Sequence, residues 1–183
     1  MEYKILDKYN IKEYLSTITS IKDYFKDDEL FIDEIGDGNL NYVFIIKSVS
    51  NKEKALILKQ AVPYLRCVGE EYPLSRERMT YEIRALQSYY EKTPDQTPII
   101  YDANEQMSAI VMQFLDEHII MRKGMIGEVI YPRFADHISD FLAYNLYKTS
   151  SLYLSSTAKR QLIDKFNSNT ELCKLTEDFV FTF

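Results

Sequence analysis

Two glycines separated by one residue, Gly36 and Gly38, sit in a polar turn whose flanks both read as strands. No other feature limits the fold as much. A dinucleotide fingerprint or a Walker loop needs a helix directly after its glycines, so that the helix N-terminus faces phosphate. Here Leu30 to Ile35 precedes the turn and Asn41 to Ser48 follows it, and both are short and rich in branched and aromatic residues. Asn51-Lys52-Glu53-Lys54 is a second polar turn, and Ala55 to Gln60 reads as a third strand. Short turns between three strands predict an antiparallel meander with a glycine-rich hairpin at one end.

The rest of the chain alternates in period. Asn10 is placed to cap a helix with Ile11, Tyr14, Leu15 and Ile18 on one face. Pro63 and Pro73 bracket a loop, after which Ser75 opens a helix running to about Tyr90. Its apolar stripe is Met79, Ile83, Leu86 and Tyr90. Ile99 to Tyr101 and Ser108 to Phe114 read as two further strands. Beyond them the pattern is helical, with Phe134, Ile138, Phe141, Leu142 and Asn145 on one face and Leu162, Ile163 and Phe166 on another. The fold class is therefore α+β. A five-stranded antiparallel sheet domain is expected over residues 1–115, and the opening of a helical domain over 116–183.

The formal net charge of −6 makes the chain a poor partner for nucleic acid, because neutralising phosphates needs a basic surface. No apolar run approaches the roughly 20 residues that span a bilayer, and MEYKILDKYN lacks the apolar core of a signal peptide. Cys67 and Cys173 cannot by themselves build a disulfide scaffold or a zinc site and read as free thiols. The expectation is a cytoplasmic protein without nucleic-acid or membrane partners. His118 and His137 have no Cys or His neighbour at ligand spacing, so no metal site is expected among these residues.

A glycine-rich hairpin lying over ATP phosphates is the device of protein-kinase-like folds. Gly36, Gly38 and Val43 fit the G-x-G-x-x-G-x-V pattern, with Asn41 where the third glycine would stand. The turn alone is equally compatible with a plain tight hairpin. Lys59, on the third strand, supplies the second requirement, a lysine for the α- and β-phosphates. Glu82, flanked on its helix by Met79 and Leu86, lies at the edge of the buried face, where it can hold that lysine. Gln113, Phe114 and Leu115 stand at the end of the last strand, where a hinge would offer backbone groups to adenine. Asp140 and Asn145 mimic the spacing of a kinase catalytic loop, but His137 stands one residue out of place and the stretch has helical periodicity.

The blocks Glu34-Ile35-Gly36-Asp37-Gly38-Asn39-Leu40-Asn41-Tyr42-Val43-Phe44 and Leu58-Lys59-Gln60-Ala61-Val62-Pro63-Tyr64 resemble the glycine loop and lysine strand of S-methyl-5-thioribose kinases. Val68-Gly69-Glu70, Pro73-Leu74, Arg122-Lys123-Gly124 and Glu171 to Glu177 extend the resemblance from about residue 30 to near the end. It implies a two-lobed kinase-like fold of the aminoglycoside and choline phosphotransferase type. It also implies ATP- and magnesium-dependent phosphorylation of the anomeric hydroxyl of methylthioribose, in methionine salvage. Carried over, Gly36, Gly38, Asn39, Asn41 and Lys59 contact the nucleotide, Glu82 pairs with Lys59, and Gln113, Phe114 and Leu115 face adenine. Tyr72 stands where the family usually has tryptophan. The family's HGD-type loop and later aspartate loop, which orient the sugar and bind Mg²⁺, have no counterpart before Phe183. The resemblance thus implies the amino-terminal half of such an enzyme, without catalytic or metal-binding residues, that pairs with itself or with a complementing carboxy-terminal polypeptide. A non-catalytic nucleotide-binding module and a kinase for another small molecule are the alternatives.

Overall fold

The computed structural model describes residues 2–36 and 40–181. Helix α1 (Ile11–Ser16) precedes strands β1 (Leu30–Glu34), β2 (Asn41–Ser48) and β3 (Ala55–Ala61). A two-stranded ribbon, β4 (Tyr64–Leu65) and β5 (Gly69–Pro73), leads into helix α2 (Arg78–Lys92). Strands β6 (Ile100–Asn104) and β7 (Ala109–Gln113) follow, then helices α3 (Met121–Ile126), α4 (Phe134–Thr149), α5 (Ser156–Asp164) and α6 (Thr170–Phe181). The sheet is antiparallel throughout in the order β1-β2-β3-β7-β6, so the returning hairpin inserts its second strand beside β3.

Period-two alternation sorts β2 and β3 onto two faces. Phe44, Ile46, Leu56 and Leu58 point into one core with Met107, Ala109 and Val111, and the chain before β1 covers it. That cover supplies Leu6, Ile11, Tyr14, Leu15, Ile18, Ile21 and Phe25. Gln60, fully buried on the same face, fastens it: its Oε1 accepts from the Leu6 N–H, and its Nε2 donates to the carbonyls of Lys4 and Met107. On the other face, α2 lays Met79 and Ile83 against Ala61 and Ile110, with Leu86 partly buried beside them.

The periodicity places four of the five sheet strands within one residue of their observed ends, stops β6 three residues short at Tyr101, and misses the β4–β5 ribbon inside the proline-bracketed loop. Strands this short are set by tertiary pairing, here Tyr64 with Pro73, more than by pattern. Asn10 makes no side-chain cap. It exchanges hydrogen bonds with Asp7, whose Oδ1 accepts from the Tyr9 and Asn10 N–H groups. Ser75 Oγ accepts from the Glu77 N–H, and the helix itself begins at Arg78.

Candidate functional site

Lys59 lies on the α2 side of the sheet, cross-strand from Val43 on β2 and Ile110 on β7. Its Nζ donates to Glu82 Oε1 at 2.5 Å, and each side chain keeps about a quarter of its surface exposed. Partial desolvation strengthens the attraction and raises the cost of leaving either charge alone. The glutamate reaches the strand because it sits one turn beyond Arg78 on the edge of α2 that faces β2 and β3.

Arg78 is the residue that sequence reasoning passed over. Only 4% exposed, it donates from Nε to Asn41 Oδ1 at 2.9 Å and from Nη2 to the carbonyls of Leu40 and Val62, both at 2.8 Å. Nη1 donates to the Ser75 carbonyl at 2.6 Å and to that of Leu74 at 3.3 Å. Burial pushes its pKa below the usual arginine value, against the opposing pull of Tyr3, Glu171 and Glu82. Spacing offers one signal for it: Arg78 and Glu82 stand four apart, in a column beside the apolar stripe.

A cavity of about 510 Å³ opens beside the pair. Asn41, Val43, Lys59, Arg78 and Glu82 line one side, and Phe166 and Leu172 close it from the helical segment. Its size falls in the range of small-molecule sites. A larger hollow of about 840 Å³ lies between α2 and helices α4 and α5. It is walled by long charged side chains such as Arg84, Lys92 and Lys148, and none of the candidate nucleotide-site residues lines it. We therefore place the candidate site in the smaller cavity, where charge pair and hairpin exit converge.

The structure brings Asn41, Lys59 and Glu82 together, with Gly36 two residues beyond the end of β1. Gly38 and Asn39 lie outside the described residues. Gln113, Phe114 and Leu115 are not part of this cavity's wall. The Gln113 N–H donates to the Ile99 carbonyl at 2.8 Å, and its Oε1 accepts from the Ile99 N–H. The Leu115 carbonyl accepts from the His118 N–H. Lys47 sits 4.7 Å from the centroid of the Phe114 ring and 3.6 Å from Asp116, tying the segment after β7 to β2. Tyr42 and Tyr64 share a hydrogen bond on the far side of the hairpin, which, with burial, pushes the Tyr64 hydroxyl up to about 12. Asp140 and Asn145 both lie inside α4, as the helical period requires. Among the described residues no three His, Cys, Asp or Glu side chains converge as a metal ion would need. No helix among them is long and apolar enough to cross a membrane.

No family model matches the chain. Methylthioribose kinase 1 of Oryza sativa subsp. japonica is 43% identical over 156 residues, which is 85% of this chain and 36% of that protein. Methylthioribose kinase of Bacillus cereus strain G9842 is 44% identical over 175 residues, 92% of this chain and 43% of the relative. That of strain AH820 is 46% identical over 149 residues, 81% and 37% respectively. The chain thus spans about two fifths of the length of these curated relatives.

Proposed function

We propose, for a chain that is a homologue of the methylthioribose kinases over most of its own length, that it forms the nucleotide-binding lobe of such an enzyme. Residues 1–115 are that lobe, and residues 116–183 begin the helical one. ATP enters between the 36–41 hairpin and Lys59, whose ammonium neutralises phosphate charge while Glu82 keeps it in place. Gly36 and Gly38 let backbone approach the phosphates, Asn39 and Asn41 border them, and adenine turns toward Gln113, Phe114 and Leu115. The observation that carries this reading is the 2.5 Å Lys59–Glu82 contact on the rim of a cavity that also takes in the hairpin's exit.

The whole reaction transfers the γ-phosphoryl group to methylthioribose in cytoplasmic methionine salvage. Magnesium would neutralise the phosphates there, but its ligands are not gathered among the described residues, and no step is assigned to it in this chain. By the same resemblance, the aspartate that orients the sugar hydroxyl belongs to a complementing carboxy-terminal polypeptide or segment. The 183-residue chain alone is then expected to bind ATP without turning over methylthioribose. Titration with a fluorescent ATP analogue tests this. The native chain should bind, and Lys59→Met should weaken binding about tenfold or more, a loss near 1.4 kcal/mol, while the chain stays cooperatively folded at a lower melting temperature, because Glu82 loses its partner. Equal binding by both proteins, or normal turnover by the chain alone, would overturn the proposal.

A further inference from the structure

Three segments, the first of them part of the cavity wall, meet on one buried side chain. Leu40 and Asn41 are the exit of the hairpin, Val62 and Tyr64 follow the lysine strand, and Leu74 and Ser75 are the entry to α2. Arg78 hydrogen-bonds to all three, through Asn41 Oδ1 and the carbonyls of Leu40, Val62, Leu74 and Ser75, with the Tyr64 carbonyl at a longer 3.5 Å. Six acceptors face a guanidinium with five N–H donors, so the group is saturated and has no donor left for a ligand. No carboxylate among the described residues makes an ion pair with it. A buried charge whose hydrogen bonds all go to neutral oxygens, with Glu82 and Glu171 acting only from farther off, is costly, and an apolar side chain would fill the space more cheaply. What an apolar side chain cannot do is join three backbone segments through one rigid planar fork.

We propose that Arg78 is a positioning residue for the nucleotide site: it locks the exit of the glycine hairpin to the end of the lysine strand and to α2. The hairpin exit at Leu40 and Asn41, Lys59 and Glu82 then keep a fixed spacing before a ligand arrives. Its N–H donors are all taken by protein acceptors, so its effect passes through Asn41 and the carbonyls it holds. The proposal rests on the reading of the cavity as a nucleotide site. Its structural part, a clamp across three segments, stands apart from that reading.

Arg78→Lys tests it, because lysine keeps the charge but cannot span the three segments. Hydrogen exchange without nucleotide is expected to accelerate together in residues 40–45 and 61–65, and to stay unchanged in β7. ATP affinity, measured with ATP itself by calorimetry, is expected to fall about tenfold, the scale of a lost charged hydrogen bond. A folded variant with ATP affinity within twofold of the native chain, or with exchange faster everywhere alike, would overturn the proposal. If Arg78→Lys does not fold, Asn41→Leu decides. It removes one acceptor and leaves the guanidinium, and a coupled clamp must then loosen 61–65 as well as 40–45. Loosening of 40–45 alone would sink the idea. If the native chain binds no ATP, the nucleotide reading falls, while the exchange comparison still decides whether the clamp exists.

Discussion

Up to Gln113 the molecule packs on both faces of its sheet; from Met121 on, helices α3 to α6 leave many large apolar side chains in solvent. Among the described residues, Leu175 is the one buried apolar side chain beyond Val111. Ile130 is 86% exposed, Leu152 87% and Leu146 66%. On α4 the stripe read from sequence is real but half used. Phe141 packs its ring 5.3 Å from Tyr89, and Asn145 is buried against Thr93. Phe134, Ile138 and Leu142 remain exposed. Each large side chain left in water forgoes about 1.5–3 kcal/mol, against a total stability of about 5–15 kcal/mol for an ordinary domain. An amphipathic stripe says that a helix has an inward face. It does not say that anything in the same chain covers that face.

Alanine truncation should separate the two regions most sharply. Leu58→Ala and Ile46→Ala, both fully buried, are expected to cost about 2–5 kcal/mol in urea unfolding. Leu146→Ala should stay within about 0.5 kcal/mol. Comparable losses at all three positions would show that the helices are as well covered as the sheet. Gly124→Ala comes next. A Cβ there would run into the Tyr131 ring, so a loss of about 1–3 kcal/mol is expected despite the exposed surroundings. Ile126→Ser combined with Ile130→Ser should abolish concentration-dependent association in light scattering while the melting temperature holds. Association that persists unchanged would clear these side chains of the role.

Asp102→Asn gives the smallest effect and probes the packed region. Burial raises the Asp102 carboxyl above its ordinary value, an effect reduced by the Ala103 N–H. A carboxyl raised on folding contributes its full stability below the unfolded value of about 3.9 and loses it as pH climbs through the folded value. The substitution should therefore raise the melting temperature at pH 7, and the gain should vanish near pH 3. A gain that is the same at both pH values would rule out the ionisation as its source.

The sheet was legible in the sequence because it rests on local pattern, whereas local pattern put Glu82 only at the edge of the buried face and its pairing with Lys59 came from the resemblance. Alternation assigns strand faces, and a helical stripe fixes which glutamates border the sheet. Arg78 was not legible, since nothing in a helix-opening arginine announces that carbonyls from residues 40, 62 and 75 converge on it. The walls supplied by Phe166 and Leu172 were hidden for the same reason: they reach the cavity from 107 and 113 residues beyond Lys59.

Period, turn chemistry and the order of elements were set by the chain as written, because those depend on neighbours a few residues apart. Which side chains share a cavity, which cation is buried without a carboxylate, and which helix face goes uncovered were decided only in three dimensions. There, distant backbone groups must find partners, and a face is buried only where another segment arrives to meet it.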